Sequence, residues 1–259
     1  MPPSIFSIPE ALQLGQFVLA AYDLFTANDP PGFVPPGGYS LVSKIYADDI
    51  TDGVPDYKVF GFIARSGTDV VVAIRGTEGV LEWIMDSLFR LVAFPYVKAG
   101  RTEHGFTDFY SSFHTGADST SPRVIDALRG LTAGGSVKTL RITGHSLGSA
   151  LATLLAIDAA GNGVFTSPTV YTFASPRVGD KVFAGIFDSL VPNSWRIANV
   201  NDIVTQLPPL FAGYVHVDAE VPINSDDRTK HTLRCWHALL TYLNILDSSI
   251  ALDAECVPT

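Results

Sequence analysis

The pentapeptide Gly144-His145-Ser146-Leu147-Gly148 constrains this chain more than any other stretch. Before it, Val137 to Thr143 is a β-branched, apolar run that reads as a buried strand. After it, Ser149 to Ala160 has the pattern of a helix. A chain passing from strand to helix in so few residues must turn tightly. Glycines on both sides leave no Cβ where the turn is strained and neighbouring chains pass close. The turn lifts Ser146 to the start of a helix, where free backbone N–H groups stabilise developing negative charge. By itself the pentapeptide is weak evidence, since about 0.14 accidental matches are expected. Its strand-turn-helix setting makes Ser146 the candidate nucleophile.

Apolar, β-branched runs recur along the chain. Tyr57 to Ala64, Asp69 to Arg75, Thr169 to Phe173, Trp195 to Val200 and Tyr214 to Val221 are predicted strands. Predicted helices cover Ile8 to Phe25, Thr107 to His114, Pro122 to Leu131, Lys181 to Leu190 and His237 to Ile250. Strands alternating with helices predict an α/β fold with a mostly parallel central sheet and helices on both faces. The 259 residues suffice for one large domain, and the Pro/Gly-rich stretch Pro30 to Gly38 lies too near the N-terminus to separate two. A single domain over residues 1–259 is expected.

A serine hydroxyl is a poor nucleophile until a histidine takes its proton, and an acid must hold that histidine in the right tautomer. In this fold the chain order is serine, acid, histidine. Asp202 closely follows the strand Trp195 to Val200, at the sheet edge where catalytic groups collect. Asp180 and Asp188 belong to a helix pattern and are expected to be solvated. Among the histidines, His104 and His114 precede the serine, His145 lies inside the turn and His216 inside an alternating strand. His231 and His237 remain, and His237 is favoured because it opens the last predicted helix after a polar loop.

The net charge of −9 argues against nucleic acid and strongly anionic membranes as partners. Only 17% of residues are charged and the mean hydropathy is +0.25, so an apolar contact surface is expected. No apolar stretch is long enough to span a bilayer. The N-terminus has no basic region and Glu10 and Gln13 interrupt its apolar run, so no signal peptide is read in this chain. Cys235 and Cys256 flank the last predicted helix; a pair and two free thiols both remain open. No metal-ligand cluster is readable, and the chemistry above needs no cofactor.

These motifs resemble the class 3 lipase family of α/β-hydrolases, from about Val59 to Leu246. Ala73-Ile74-Arg75-Gly76-Thr77 resembles the family's strand ending in Arg-Gly-Ser/Thr, and Trp83-Ile84-Met85-Asp86 its Trp-x-x-Asp lid segment. Phe173-Ala174-Ser175-Pro176-Arg177-Val178-Gly179, Asn201-Asp202-Ile203-Val204 with Leu207-Pro208-Pro209, and His237-Ala238-Leu239-Leu240-Thr241-Tyr242 resemble its later motifs. Glu103-His104-Gly105-Phe106 departs from the family's His-x-Gly-Phe by one residue. The resemblance implies a triad of Ser146, Asp202 and His237, and an oxyanion hole from the Thr77 and Leu147 amides. It also implies a helical lid at about residues 79–95 containing Trp83 and Asp86, and secretion. The apolar sequence of Val80 to Phe94 suits a greasy substrate at an oil-water interface. The implied activity is triacylglycerol hydrolysis. A phospholipase A1 or feruloyl-type esterase is the alternative, and a non-catalytic, lipase-like binding module the third reading.

Overall fold

A computed structural model describes residues 5–48, 56–77, 89–217 and 219–258. Eleven strands are found among them: β1 (Ser40–Asp48), β2 (Tyr57–Ser66), β3 (Asp69–Ile74), β4 (Leu91–Ala93), β5 (Arg101–Glu103), β6 (Thr139–His145), β7 (Thr169–Phe173), β8 (Gly179–Asp180), β9 (Asn193–Asn199), β10 (Tyr214–Val215) and β11 (Ala219–Ile223). The helices are α1 (Ile8–Thr26), α2 (His104–Ser111), α3 (Val124–Thr132), α4 (Leu147–Gly161), α5 (Lys181–Leu190), α6 (Leu233–His237) and α7 (Leu239–Leu246). The main sheet runs β1-β2-β3-β6-β7-β9-β11. Its first two pairings are antiparallel and the other four parallel, as the alternation of strands and helices predicts.

Side-chain alternation divides the sheet into two cores. Val70, Val72, Ile74, Leu140, Ile142 and Val170 point to one face, under α2, α3, α4 and α5. Val71, Ala73, Tyr171, Phe173, Trp195 and Ile197 point to the other, under α1 and α7. Helix α4 is buried from Leu147 to Ala159, which is why its sequence is apolar on every side. Helix α1 starts where Ser7 caps the Glu10 amide, with Pro9 in the first turn.

Four expectations change. The predicted strand Tyr214 to Val221 is two strands. Tyr214–Val215 pairs with β8 in a small antiparallel sheet of order β10-β8-β5-β4, whereas Ala219–Ile223 closes the main sheet beside β9. Alternation gave the faces but not the partners. The first helix after the lid sequence begins three residues earlier than expected, because the Glu103 side chain caps the Phe106 amide. That is the structural content of Glu103-His104-Gly105-Phe106. Asp180 is buried rather than solvated; it caps α5 through the Phe183 amide and pairs with Arg101 at 3.1 Å. The predicted helix His237 to Ile250 is α6 and α7, broken at Ala238, so His237 ends a helix instead of opening one.

Cys235 and Cys256 form a disulfide across 21 residues. It ties the C-terminal segment to α6, helped by Lys230 N–H and the Thr229 hydroxyl, which both donate to the Cys256 carbonyl, and by Arg234 pairing with Asp253 and Glu255. Closing a loop of this length is worth about 3 kcal/mol by the chain-entropy argument. Replacing both cysteines by serine is expected to lower the thermal midpoint by about 6–12 °C. Calorimetry of the two proteins under non-reducing conditions checks this, and an unchanged midpoint counts against the tether.

Candidate active site

Ser146 joins β6 to α4 with φ 60° and ψ −126°, a backbone state that L-residues avoid. Several contacts hold it there. Its N–H donates to the Phe173 carbonyl at 2.9 Å. The Ser149 hydroxyl sits 2.7 Å from both the Gly144 and Phe173 carbonyls. A Cβ on Gly148 would overlap the Arg75 and Ile74 carbonyls of the neighbouring strand, so only glycine fits.

From Ser146 a chain of hydrogen bonds leads inward. Its Oγ lies 2.8 Å from Nε2 of His237, and Nδ1 of His237 lies 2.7 Å from Oδ2 of Asp202. Asp202 is 1% exposed. Its carboxylate also accepts from the Tyr242 hydroxyl at 2.7 Å and from the Val204 amide at 3.0 Å. Burial, reinforced by the Asp202 charge, pushes the Tyr242 hydroxyl well above its usual pKa, so it stays a donor. The geometry thus brings together Ser146, Asp202 and His237. It can draw a proton from the serine onto Nε2 while the carboxylate holds the proton on Nδ1.

Two stretches of backbone lie beside the serine. Leu147 is the first residue of α4, and an amide in that position has no partner within its own helix. The chain at Gly76 presses on the serine: a Cβ there would sit 2.9 Å from the Ser146 Cβ. Thr77, partly exposed, is the next residue along. Trp83 and Asp86, with most of the expected lid at 79–95, lie outside the described residues.

His145 is closer to this chemistry than the sequence indicates. Its ring lies 4.8 Å from that of His237, and its Nε2 lies 2.8 Å from the His237 carbonyl, so Nε2 carries the hydrogen. Its Nδ1 is then the acceptor for the Tyr22 hydroxyl at 2.8 Å, and Tyr22 in turn accepts from the Gly76 amide at 2.9 Å. Burial, followed by the neighbouring His237, pushes His145 well below the usual imidazole pKa and keeps it neutral. From α1, Tyr22 joins Gly76 to His145, 123 residues away in sequence, and through His145 to the backbone of His237. No local signal could have found it, because tyrosine on an amphipathic helix reads as core.

The remaining histidines lie elsewhere. His231 is exposed and hydrogen-bonds the Asp226 carbonyl through Nε2. His104 pairs with Asp108, and His114 bridges to Tyr46. His216 bonds the Thr205 carbonyl at 2.7 Å, just beyond the Asp202 turn. Burial, then the Arg196 charge, lowers its pKa to about 3.

The sheet order and this elbow define a protein of the α/β-hydrolase fold. A family model described as Lipase (class 3) matches residues 71–212, and the chain belongs to the class 3 lipase family. A secreted mono- and diacylglycerol lipase A of Penicillium cyclopium is 36% identical over 169 residues, covering 64% of this chain and 52% of that protein. A phospholipase A1-II 4 of Oryza sativa subsp. japonica is 33% identical over 208 residues, covering 71% of this chain and 52% of that protein. The chain therefore spans about half the length of the curated relatives it matches. A crystal structure of a mutant form of MDLA from Penicillium cyclopium superposes with a TM-score of 0.66 at 27% identity, covering 85% of this chain and 82% of that one.

Two predictions follow from the buried polar groups. Tyr22→Phe leaves the Gly76 amide and His145 Nδ1 without their hydroxyl partner. Unfolding free energy is expected to fall by about 1–3 kcal/mol, measured by urea denaturation. The second concerns pH. His145 and His216 have folded pKa values below the ordinary 6.5, so below that pH the unfolded chain binds protons that the folded one does not. Their contribution to stability is complete above pH 6.5 and falls by up to about 1.4 kcal/mol per pH unit for each histidine as pH drops. Urea unfolding from pH 7.5 to 5 is expected to show this slope, and His216→Gln to remove one proton's share of it.

Proposed function

We propose that this protein is a serine carboxylester hydrolase, most specifically a triacylglycerol lipase. The observation that carries the proposal is the unbroken Ser146–His237–Asp202 hydrogen-bond chain at a positive-φ elbow. Ser146 Oγ attacks the ester carbonyl carbon while His237 Nε2 takes its proton. The carbonyl oxygen becomes an oxyanion facing the Leu147 and Thr77 amides. Collapse breaks the C–O bond, and the leaving alcohol takes the proton from His237. Water, deprotonated by the same nitrogen, then attacks the acyl-serine and releases the carboxylic acid. Asp202 keeps Nδ1–H oriented and stabilises the imidazolium.

A lipid substrate is supported by the apolar sequence of Val80 to Phe94 and by the relative named a mono- and diacylglycerol lipase. Phospholipase A1 activity is the second reading, favoured by the rice relative of that name. The net charge of −9 disfavours nucleic acid and favours a neutral ester presented at an oil-water interface. The disulfide and the relative named as secreted support an oxidising, extracellular location.

A fluorophosphonate probe is expected to label the protein, and Ser146→Ala to abolish labelling. In assays on emulsified long-chain triacylglycerol, soluble short-chain ester and phosphatidylcholine, the emulsion is expected to be hydrolysed fastest. His237→Ala is expected to lower kcat by about 10⁴-fold or more. A folded protein that neither labels nor hydrolyses any of the three overturns the proposal. Fastest turnover of phosphatidylcholine replaces it with the second reading.

A further inference from the structure

The stretch from Ile203 to Val217, directly after Asp202, carries no Asp, Glu, Lys or Arg. Its only titratable cation-former, His216, is half-buried and bonded to a backbone carbonyl. In the middle of this run, Leu210 is 64% and Phe211 94% exposed, and Ile203 at its start is 41% exposed. Single exposed apolar residues are ordinary on protein surfaces. Two adjacent large ones at the tip of a segment whose own sequence is uncharged are not, because water gains nothing from them.

The segment is also stiff. Pro208 and Pro209 precede a short 3-10 turn, Leu210–Ala212, closed by the Ala212 and Gly213 amides donating to the Pro209 and Leu210 carbonyls at 3.0 and 2.9 Å. Gly213 ends it in a left-handed conformation, φ 87°. Arg177 anchors its base, bonding the Gln206 and Pro208 carbonyls through its guanidinium and the Leu207 carbonyl through its amide. The turn therefore holds Phe211 outward at little cost in ordering on contact.

Its position matters as much as its composition. On one side the turn continues from the Asp202 loop. On the other it reaches the start of β4 and the chain leading into it: a Cβ on Gly213 would sit 3.7 Å from Leu91, and the Tyr214 ring lies 6.3 Å from that of Phe89.

We propose that the Leu210–Phe211 turn is a docking wedge that inserts into a neutral lipid surface and sets the Ser146 site against it. The choice of occupant follows from charge. An uncharged wedge on a chain of net charge −9 gains nothing from an anionic bilayer and offers a protein partner no ion pair to fix register. A neutral lipid surface needs neither and rewards buried apolar area alone. The proposal rests on the ester-hydrolase reading for its purpose, not for its geometry.

The test uses the full chain carrying Ser146→Ala, so that lipid is not consumed. Its partitioning is measured onto phosphatidylcholine-coated triolein droplets and onto phosphatidylglycerol vesicles, with and without the added pair Leu210→Ser and Phe211→Ser. The unsubstituted wedge is expected to favour the neutral droplets, and the pair to lower that partitioning at least about tenfold. Both side chains are exposed, so an unchanged thermal midpoint verifies folding. Partitioning that survives the pair, or a preference for the anionic vesicles, overturns the wedge. So does a concentration-dependent dimer that the pair abolishes by sedimentation, which makes the turn a self-association face. Hydrolysis of a soluble ester by the wild type is read separately. Its absence with wedge binding intact defeats the function alone, and its presence with binding unaffected by the pair defeats the wedge alone.

Discussion

Ser146 occupies a backbone conformation that costs a non-glycine residue about 1–3 kcal/mol, and the site depends on that cost being met elsewhere. The surroundings over-determine it. Strand β7 supplies the Phe173 carbonyl to both the Ser146 amide and the Ser149 hydroxyl. Strand β3 passes so close that Gly148 has no room for a side chain. Helix α4, buried along almost its whole length, cannot shift to relieve the strain. The two central parallel pairings of the sheet thus fix one serine, and the direction of α4 then fixes the amide at Leu147.

The second half of the site is organised by hydrogen-bond polarity. His237 ends a helix, and a terminal carbonyl has no partner within that helix. His145 takes this carbonyl through Nε2, which leaves Nδ1 to the Tyr22 hydroxyl and the hydroxyl to the Gly76 amide. Each bond dictates the direction of the next. A protonated His145 would reverse the Tyr22 contact and place a positive charge against the His237 ring, which burial already disfavours. Neutral His145 therefore ties the backbone of one histidine to the loop leading into Thr77.

Much of this was legible in sequence because it is local. Strand β7 and helix α5 coincide with their predicted ranges, and the turn at Ser146 follows from five consecutive residues and their flanks. Chain order and position after a strand pointed to Asp202 and left His231 and His237, with His237 preferred for opening a helix; the structure hydrogen-bonds Asp202 to His237, which ends one instead. What escaped depends on distant partners. Strand β1 was missed because register shifts at Leu41/Ser43 and Ile45/Tyr46 break its alternation. The small second sheet has strands of two or three residues, too short to carry a period. Tyr22 and His145 act through polar atoms that meet only after α1 packs on the sheet. The disulfide stayed open because two cysteines near a helix fit pairing and free thiols equally.

His237 also shows why the chain's end matters to its middle. It sits on a five-residue helix, far too short to hold its shape alone. Its position comes from four separate attachments. The disulfide at Cys235 lies two residues before it. The carbonyl bond to His145 lies at the residue itself. Tyr242, five residues on, bonds the same carboxylate oxygen that receives Nδ1–H and accepts from the Asn199 amide at the end of β9. Asn199 closes the circuit, since its side-chain nitrogen donates to the Trp236 carbonyl. Loosening any one of these leaves the imidazole with three anchors, enough to keep it nearby but not to keep both ring nitrogens in line. Proton transfer needs that alignment, so loosening an attachment is expected to cost the site activity as well as costing the fold stability.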